Sequence, residues 1–131
     1  MFKKNKQAKS LDLNQQEITT LIGSGYEITG EITGKSFIRI DGTVTGNVST
    51  EGGLILGEKG VVIGNIKTKS AIIFGTVNGN VMAAQLEIKA TGVVNGDIKT
   101  ETLEIELGAK YNGHLEMNEL IKTEEKILKV I

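Results

Sequence analysis

The sequence predicts an all-β fold, a β-solenoid of about six short coils held between two tails. Three observations predict it. A glycine flanked by β-branched or aliphatic residues recurs six times, at spacings of 16, 18, 15, 17 and 17 residues. Within each copy, apolar residues alternate with Thr, Asn, Lys and Glu at a period of two, the mark of a half-buried strand. The apolar runs are short and broken by glycine, which suits narrow faces joined by tight corners.

The bulk properties agree with a single soluble domain. The chain has 131 residues, 17 of them Gly, with no Pro, Cys or Trp. Without cysteine there is no disulfide framework, no thiolate metal site and no cysteine nucleophile. A formal charge of −1 excludes a polycation built to coat nucleic acid, so no nucleic-acid partner is expected. No apolar run approaches the roughly 20 residues that span a bilayer. The charged start is followed by no apolar stretch, so no cleavable secretory signal is read and a cytoplasmic location is expected.

From the N-terminus, residues 1–18 read as a flexible basic tail. Lys3, Lys4, Lys6 and Lys9 face no acid within the first ten residues, and a segment this polar cannot fold alone. Met1 and Phe2 beside Lys3, Lys4 and Lys6 combine an apolar wedge with charges that suit an anionic membrane surface. The affinity per chain would be marginal, about 1 kcal/mol per lysine. The alternative is a merely solubilising tail.

Residues 19–118 read as the β-helix domain. The copies run Ile28-Thr-Gly30-Glu-Ile32, Val44-Thr-Gly46-Asn-Val48 and Val62-Ile-Gly64-Asn-Ile66, then Val77-Asn-Gly79-Asn-Val81, Val94-Asn-Gly96-Asp-Ile98 and Tyr111-Asn-Gly113-His-Leu115. Apolar runs precede them, such as Phe37-Ile-Arg-Ile40 and Leu54-Ile-Leu56. A meander of hairpins would use the Asp-Gly and Asn-Gly pairs as two-residue turns. The inward parity nevertheless passes through those glycines without a reset: Ile38, Ile40, Gly42, Val44, Gly46 and Val48 share it, as do Leu103, Ile105, Leu107, Ala109, Tyr111, Gly113, Leu115 and Met117. A repeat of about 17 residues with three short apolar faces therefore predicts stacked coils, about 4.8 Å apart. Stacking would align Glu31, Asn47, Asn65, Asn80, Asp97 and His114 in a polar corner column whose Asn side chains bond along the axis.

Residues 119–131 read as a C-terminal cap or tail. Leu120, Ile121, Ile127, Leu128 and Ile131 fit a helical stripe, while Leu120 also falls 17 residues after Leu103 as the start of a partial seventh coil.

The ends of this solenoid lack polar caps. Leu21, Ile22, Tyr26 and Ile28 stand at one end, and Leu103, Ile105, Leu107, Leu115, Met117 and Leu120 at the other. Solenoids that remain monomeric carry polar ends. An uncapped coil presents unpaired strand edges that self-assembly would use. These ten residues are the candidate polymerisation interface, with a second copy of the chain as partner. Cover by residues 119–131 is the competing reading.

Other candidates reduce to structure. His114 is the only histidine, sits outward after a corner glycine, and has no ligand-spaced companions. Neither Gly23-Ser-Gly25 nor Gly57-Glu-Lys-Gly60 matches a nucleotide-binding loop. No catalytic residue, cofactor or metal site is therefore expected. Phe37, Ile55, Val61, Ile63, Ile72 and Phe74 have outward parity and suggest a stripe that binds a partner or bundles filaments. Alternatively the segment 11–25 lies across it, with Leu11, Leu13, Ile18, Leu21 and Ile22.

The stacked Gly-x-Val-x-Gly-[Asn/Asp]-[Val/Ile] coils, the Ile38-Arg-Ile-Asp-Gly42 stretch and the chain size resemble the bactofilin family over about residues 20–118. The start Met1-Phe2-Lys3-Lys4-Asn5-Lys6 is similar to the short membrane-targeting head of many members. The resemblance implies a right-handed, three-sided parallel β-helix. It also implies nucleotide-free polymerisation into filaments that scaffold cell-shape and envelope machinery, including peptidoglycan-synthesis proteins, at the inner face of the cytoplasmic membrane. Two alternatives remain: a non-polymerising β-solenoid adaptor, and a β-helix acyltransferase. The acyltransferase reading is disfavoured because those enzymes show strict hexapeptides and need a catalytic histidine.

Overall fold

The structure is a computed structural model that describes residues 18–118. Every regular element among them is a strand. The first coil runs through β1 (Ile18–Ile22), β2 (Glu27–Thr29) and β3 (Ile32–Gly34). The second runs through β4 (Phe37–Ile40), β5 (Thr43–Thr45) and the start of β6 (Val48–Leu56), which bends into the third coil. The pattern repeats through β7 (Val61–Ile63), β8 (Ile66–Ile73), β9 (Thr76–Asn78), β10 (Val81–Ile88), β11 (Val93–Asn95) and β12 (Ile98–Ile105). The sixth coil closes with β13 (Lys110–Asn112) and β14 (Leu115–Met117). Each coil thus has a first face (as Phe37–Ile40), a second (as Thr43–Thr45) and a third, which is the opening of the long strands.

All the pairings are parallel and join each coil to the next. The second faces form one sheet in the order β13-β11-β9-β7-β5-β2. The first and third faces merge in the other, β1-β4-β6-β8-β10-β12-β14, with β3 added on β6. The six strands of the first sheet count the coils, as the six glycine copies predict.

Register brings like residues together. Val44, Val62, Val77 and Val94 form one inward column, and Ile40, Leu56, Ile73 and Ile88 another; all eight are completely buried. Ladders of this kind suit β-branched residues, whose stiff side chains nest on the copy below. Three threonines enter the core and are satisfied there: Thr100 is completely buried and its hydroxyl donates to the Thr102 carbonyl at 2.8 Å.

The polar corner column forms, by a route the sequence only half indicated. Side-chain oxygens of Asn47, Asn65 and Asn80 accept the backbone N–H of the next coil, from Asn65, Asn80 and Asp97 at 2.9, 3.0 and 2.9 Å. Asp97 accepts likewise from His114 at 3.2 Å. Direct Asn–Asn bonding occurs two residues earlier, where Asn95 donates to Asn78 at 2.9 Å and Asn112 to Asn95 at 3.0 Å. The two ladders flank the corner glycine on either side.

That glycine is fixed by geometry. Gly64 has φ +151°, and a Cβ there would overlap the carbonyl oxygen of Gly46 in the coil above. Two expectations are corrected. Leu107 leaves the inward row for a turn and is 98% exposed, because the corner before β13 takes up the residues between Ile105 and Ala109. The segment from Ile18 does not lie across the outward stripe: Ile18–Ile22 stacks on Phe37–Ile40 as a first coil, and Ile22 joins the core.

The expected result for Gly64→Ala is a loss of about 1–3 kcal/mol from the backbone alone, plus the displacement of a neighbouring coil. Gly34→Ala, whose Cβ would meet nothing within 4 Å, should leave the urea midpoint unchanged. Equal midpoints for the two variants would show that the glycine column does not set the stacking distance.

Candidate functional site

The two ends of the rod carry the chemistry that the middle lacks. In the middle coils a given inward column is dry; at the last coil the same column opens. Ile88 is fully buried, whereas Ile105, directly after it in register, is 45% exposed. Ile98 is fully buried and its successor Leu115 is 44% exposed; Met117 follows Thr100 and is 50% exposed. Leu103, Ala109 and Tyr111 lie half-buried against the core from the same side. Six side chains of the sixth coil therefore form an apolar floor, bordered by the edge strands β13 and β14 with no strand of this chain beyond them in their sheets among the described residues.

The opposite end is a matching surface. Ile22 is buried, while Ile28 and Ile32 pack half-buried against the core from the N-terminal side. The row lengths agree between the ends: three residues each for β2 and β13, and three each for β3 and β14. A further coil could thus continue either end without a change of strand length.

The sequence-predicted interface residues divide accordingly. Ile22, Ile28, Leu103, Ile105, Leu115 and Met117 lie on the inward rows of the two ends. Leu21 falls on the outward row beside Arg39 and is 61% exposed; Tyr26 sits at a turn closed by its N–H on the Gly23 carbonyl. Leu107 occupies the corner turn noted above. Leu120, the membrane-facing candidates Met1, Phe2, Lys3, Lys4 and Lys6, and the whole of 119–131 lie outside the described residues. The structure adds Ile32, Ala109 and Tyr111, whose shared parity with their neighbours was the available signal.

Electrostatics at the ends are quiet. Burial pushes the Tyr111 phenol above its ordinary range, with Asp97 adding to the shift, and its hydroxyl donates to the His114 carbonyl. His114 itself is exposed, its Nδ1 3.9 Å from Asp97. No group of three or more His, Cys, Asp or Glu that could hold a metal exists among the described residues. No helix among them is long and apolar enough to cross a membrane.

The comparisons with known proteins agree with this geometry. The family model for bactofilins, described as polymer-forming cytoskeletal, matches residues 20–116. Bactofilin BacO of Myxococcus xanthus is 39% identical over 71 residues, 53% of this chain and 56% of that protein, so the match spans little more than half the relative's length. The subunit in a cryo-EM reconstruction of Thermus thermophilus bactofilin double helical filaments superposes with a TM-score of 0.73 at 32% identity, covering 76% of this chain and 99% of that one. The cytoskeletal bactofilin BacA, determined by solid-state NMR, gives a TM-score of 0.69 at 32% identity, covering 76% and 95%.

Tyr111 offers a direct probe of the C-terminal floor. Tyr26→Phe leaves it the sole tyrosine, since the chain has two. Contact with another subunit would desolvate the phenol further, and desolvation disfavours the phenolate. The expected outcome in ultraviolet titration is a Tyr111 pKa higher in assembled than in dispersed protein. An equal or lower value in the assembly would show that the floor stays open to water.

Proposed function

This chain belongs to the bactofilin family of polymer-forming cytoskeletal proteins, and on that premise we propose that it assembles end to end, through its two terminal coils, without nucleotide. The observation that carries the reading is the abrupt exposure of inward columns at the sixth coil, where Ile105, Leu115 and Met117 are about half exposed below neighbours that are dry. Covering such side chains contributes about 1 kcal/mol each, and the unpaired strand edges gain hydrogen-bond partners as well. Coil stacking alone supplies this energy, so no nucleotide switch is required. The related Thermus protein forms double helical filaments, which supports a polymer with a lateral contact in addition to the axial one.

The polymer would act as a scaffold for envelope or cell-shape proteins at the inner face of the membrane. The head Met1-Phe2-Lys3-Lys4-Asn5-Lys6 supports that location through its apolar wedge and basic charge. A single head binds weakly, but a filament displays many and gains avidity. The structural character of the family and the absence of a catalytic constellation in the sequence support a non-enzymatic role.

Leu115→Arg tests the axial contact. It places a charge where an apolar partner should stack, at about 3–5 kcal/mol per junction. Only the last coil is affected, and solenoid coils touch only their neighbours, so circular dichroism should still report a folded β protein. The expected product is a soluble monomer, or a dimer joined through its intact N-terminal ends, in place of filaments. Normal filaments from folded Leu115→Arg protein would rule out the C-terminal floor as the contact.

Deletion of residues 1–9 tests the head. Filaments should persist in electron micrographs, while co-sedimentation with anionic vesicles is lost. Undiminished sedimentation of the truncated protein would exclude the head as the membrane anchor.

A further inference from the structure

The outward side of the first face has a charge order that the axial contact does not use. Its middle row reads Leu21, Arg39, Ile55, Ile72, Glu87 and Glu104 from the first coil to the sixth. The row beside it reads Asp41, Gly57, Phe74, Lys89 and Glu106 from the second coil to the sixth. Ile55 and Ile72 form a small cluster with Phe37 and Phe74, separate from the main core. Flanking it are two opposite ion pairs: Arg39–Asp41 at 2.9 Å above, and Lys89–Glu87 at 3.0 Å below. All four charged side chains keep 24–41% of their surface exposed.

From the second coil to the fifth the order of these charges is self-complementary under one operation, while Glu104 of the sixth coil falls opposite Leu21 of the first. Consider a two-fold axis lying in the face, along the strands, between the third and fourth coils. It turns a second rod antiparallel and lays its first face on this one. The third coil then meets the partner's fourth and the second meets the fifth, while each row stays on itself. Arg39 faces Glu87 of the second copy, and Asp41 faces Lys89. Ile55 faces Ile72. Phe74 faces Gly57, where the Asp41 carboxylate, paired to the Arg39 guanidinium, lies over the place of the missing side chain, so the ring meets the ion pair as a unit. On the other flank Gly53 faces Ser70, two small residues that permit close approach. A parallel pair would instead set Arg39 on Arg39.

We propose that this face is a lateral interface between antiparallel copies of the chain, with Arg39–Asp41 docking on Glu87–Lys89 about an apolar centre. A contact of this kind is isologous: one patch serves both partners. Four residues by six coils give about 350 Å² per rod, or about 700 Å² in all, below the roughly 1,000 Å² of a stable isolated complex. The pairing therefore holds where it repeats along filaments, and in this it rests on the end-to-end reading. An antiparallel pair also has identical ends, each with one first coil and one sixth coil.

Charge exchange within a coil tests the face at constant net charge; in the fifth coil it gives up the Lys89–Glu106 contact at 3.6 Å and sets a lysine at position 87 beside Glu104 in its place. R39E/D41K keeps opposite charges adjacent in the second coil. Across the interface, however, it sets a carboxylate at position 39 against Glu87 and an ammonium at position 41 against Lys89. E87K/K89E creates the same like-charge contacts from the fifth coil. Each double variant should form single filaments by electron microscopy, with the paired fraction down about tenfold or more. The quadruple variant restores every facing pair and should restore pairing. Wild-type pairs should also part at about 1 M salt, where the screening length falls to about 3 Å, while the apolar axial joints persist.

Pairing that survives both exchanges, or a quadruple variant that stays single, would overturn the proposal while leaving end-to-end assembly intact. So would wild-type filaments that pair only after residues 1–17 are removed, since the chain's own head would then occupy the face. Loss of all filaments in variants that remain folded would overturn it too, by placing these charges in the axial contact.

Discussion

Everything in this molecule follows from stacking coils at the strand-to-strand hydrogen-bonding distance, about 4.8 Å. At that spacing each position lies directly over its equivalent in the next coil, so a residue's first requirement is compatibility with its own copy. Valine over valine meets that requirement in the core. Asparagine over asparagine meets it at the corner, where the side-chain oxygen reaches the N–H below. At Gly64 and its equivalents nothing larger fits, because the carbonyl of the coil above occupies the place of a Cβ. The glycine column is thus a steric consequence of the stacking distance as well as a device for turning the chain.

This self-compatibility explains how much of the fold was legible. Period-two alternation identified the inward rows, and the glycine spacing counted six coils, because both are imposed at every turn of the rod. The parity rule failed at Leu107, where the number of corner residues decides which way a side chain points. Corner length varies from coil to coil, and alternation does not register it. Leu21 stands in the first coil, at the end where the sequence puts it, with its side chain on the outward row that Arg39 continues. Ile32 and Tyr111 were overlooked as end residues because in sequence they look like any other inward member of the repeat. What makes them special is having a neighbour on one side only.

The proposed lateral face was the least legible. Phe37, Ile55, Ile72 and Phe74 could be read as an outward stripe together with Val61 and Ile63, but the latter two stand on the second face, a different side of the rod. The charges that give the stripe its direction, Arg39 and Asp41 on one side and Glu87 and Lys89 on the other, are separated by about 50 residues of sequence and ordered only once the coils are in register. Single residues in such rows carry little signal. The meaning lies in the sequence of charge along the axis.

Among the described residues a middle coil is held by two neighbours and a terminal coil by one, although both are built from the same repeat. On the end-to-end reading this ties stability to assembly. In the proposed polymer the missing neighbour is supplied by another copy, through rows of the same length and the same inward parity. The energy that joins subunits is then of the kind that joins coils: hydrogen bonds along strand edges and apolar columns closed to water. Such a polymer holds no chemical energy to release, so hydrolysis cannot disassemble it. Control must come from whatever competes for the open coils or recruits the rods to a surface. On the proposed reading the two tasks are divided along the chain: the β rod would supply cohesion, and the basic head Met1-Phe2-Lys3-Lys4-Asn5-Lys6 would supply location.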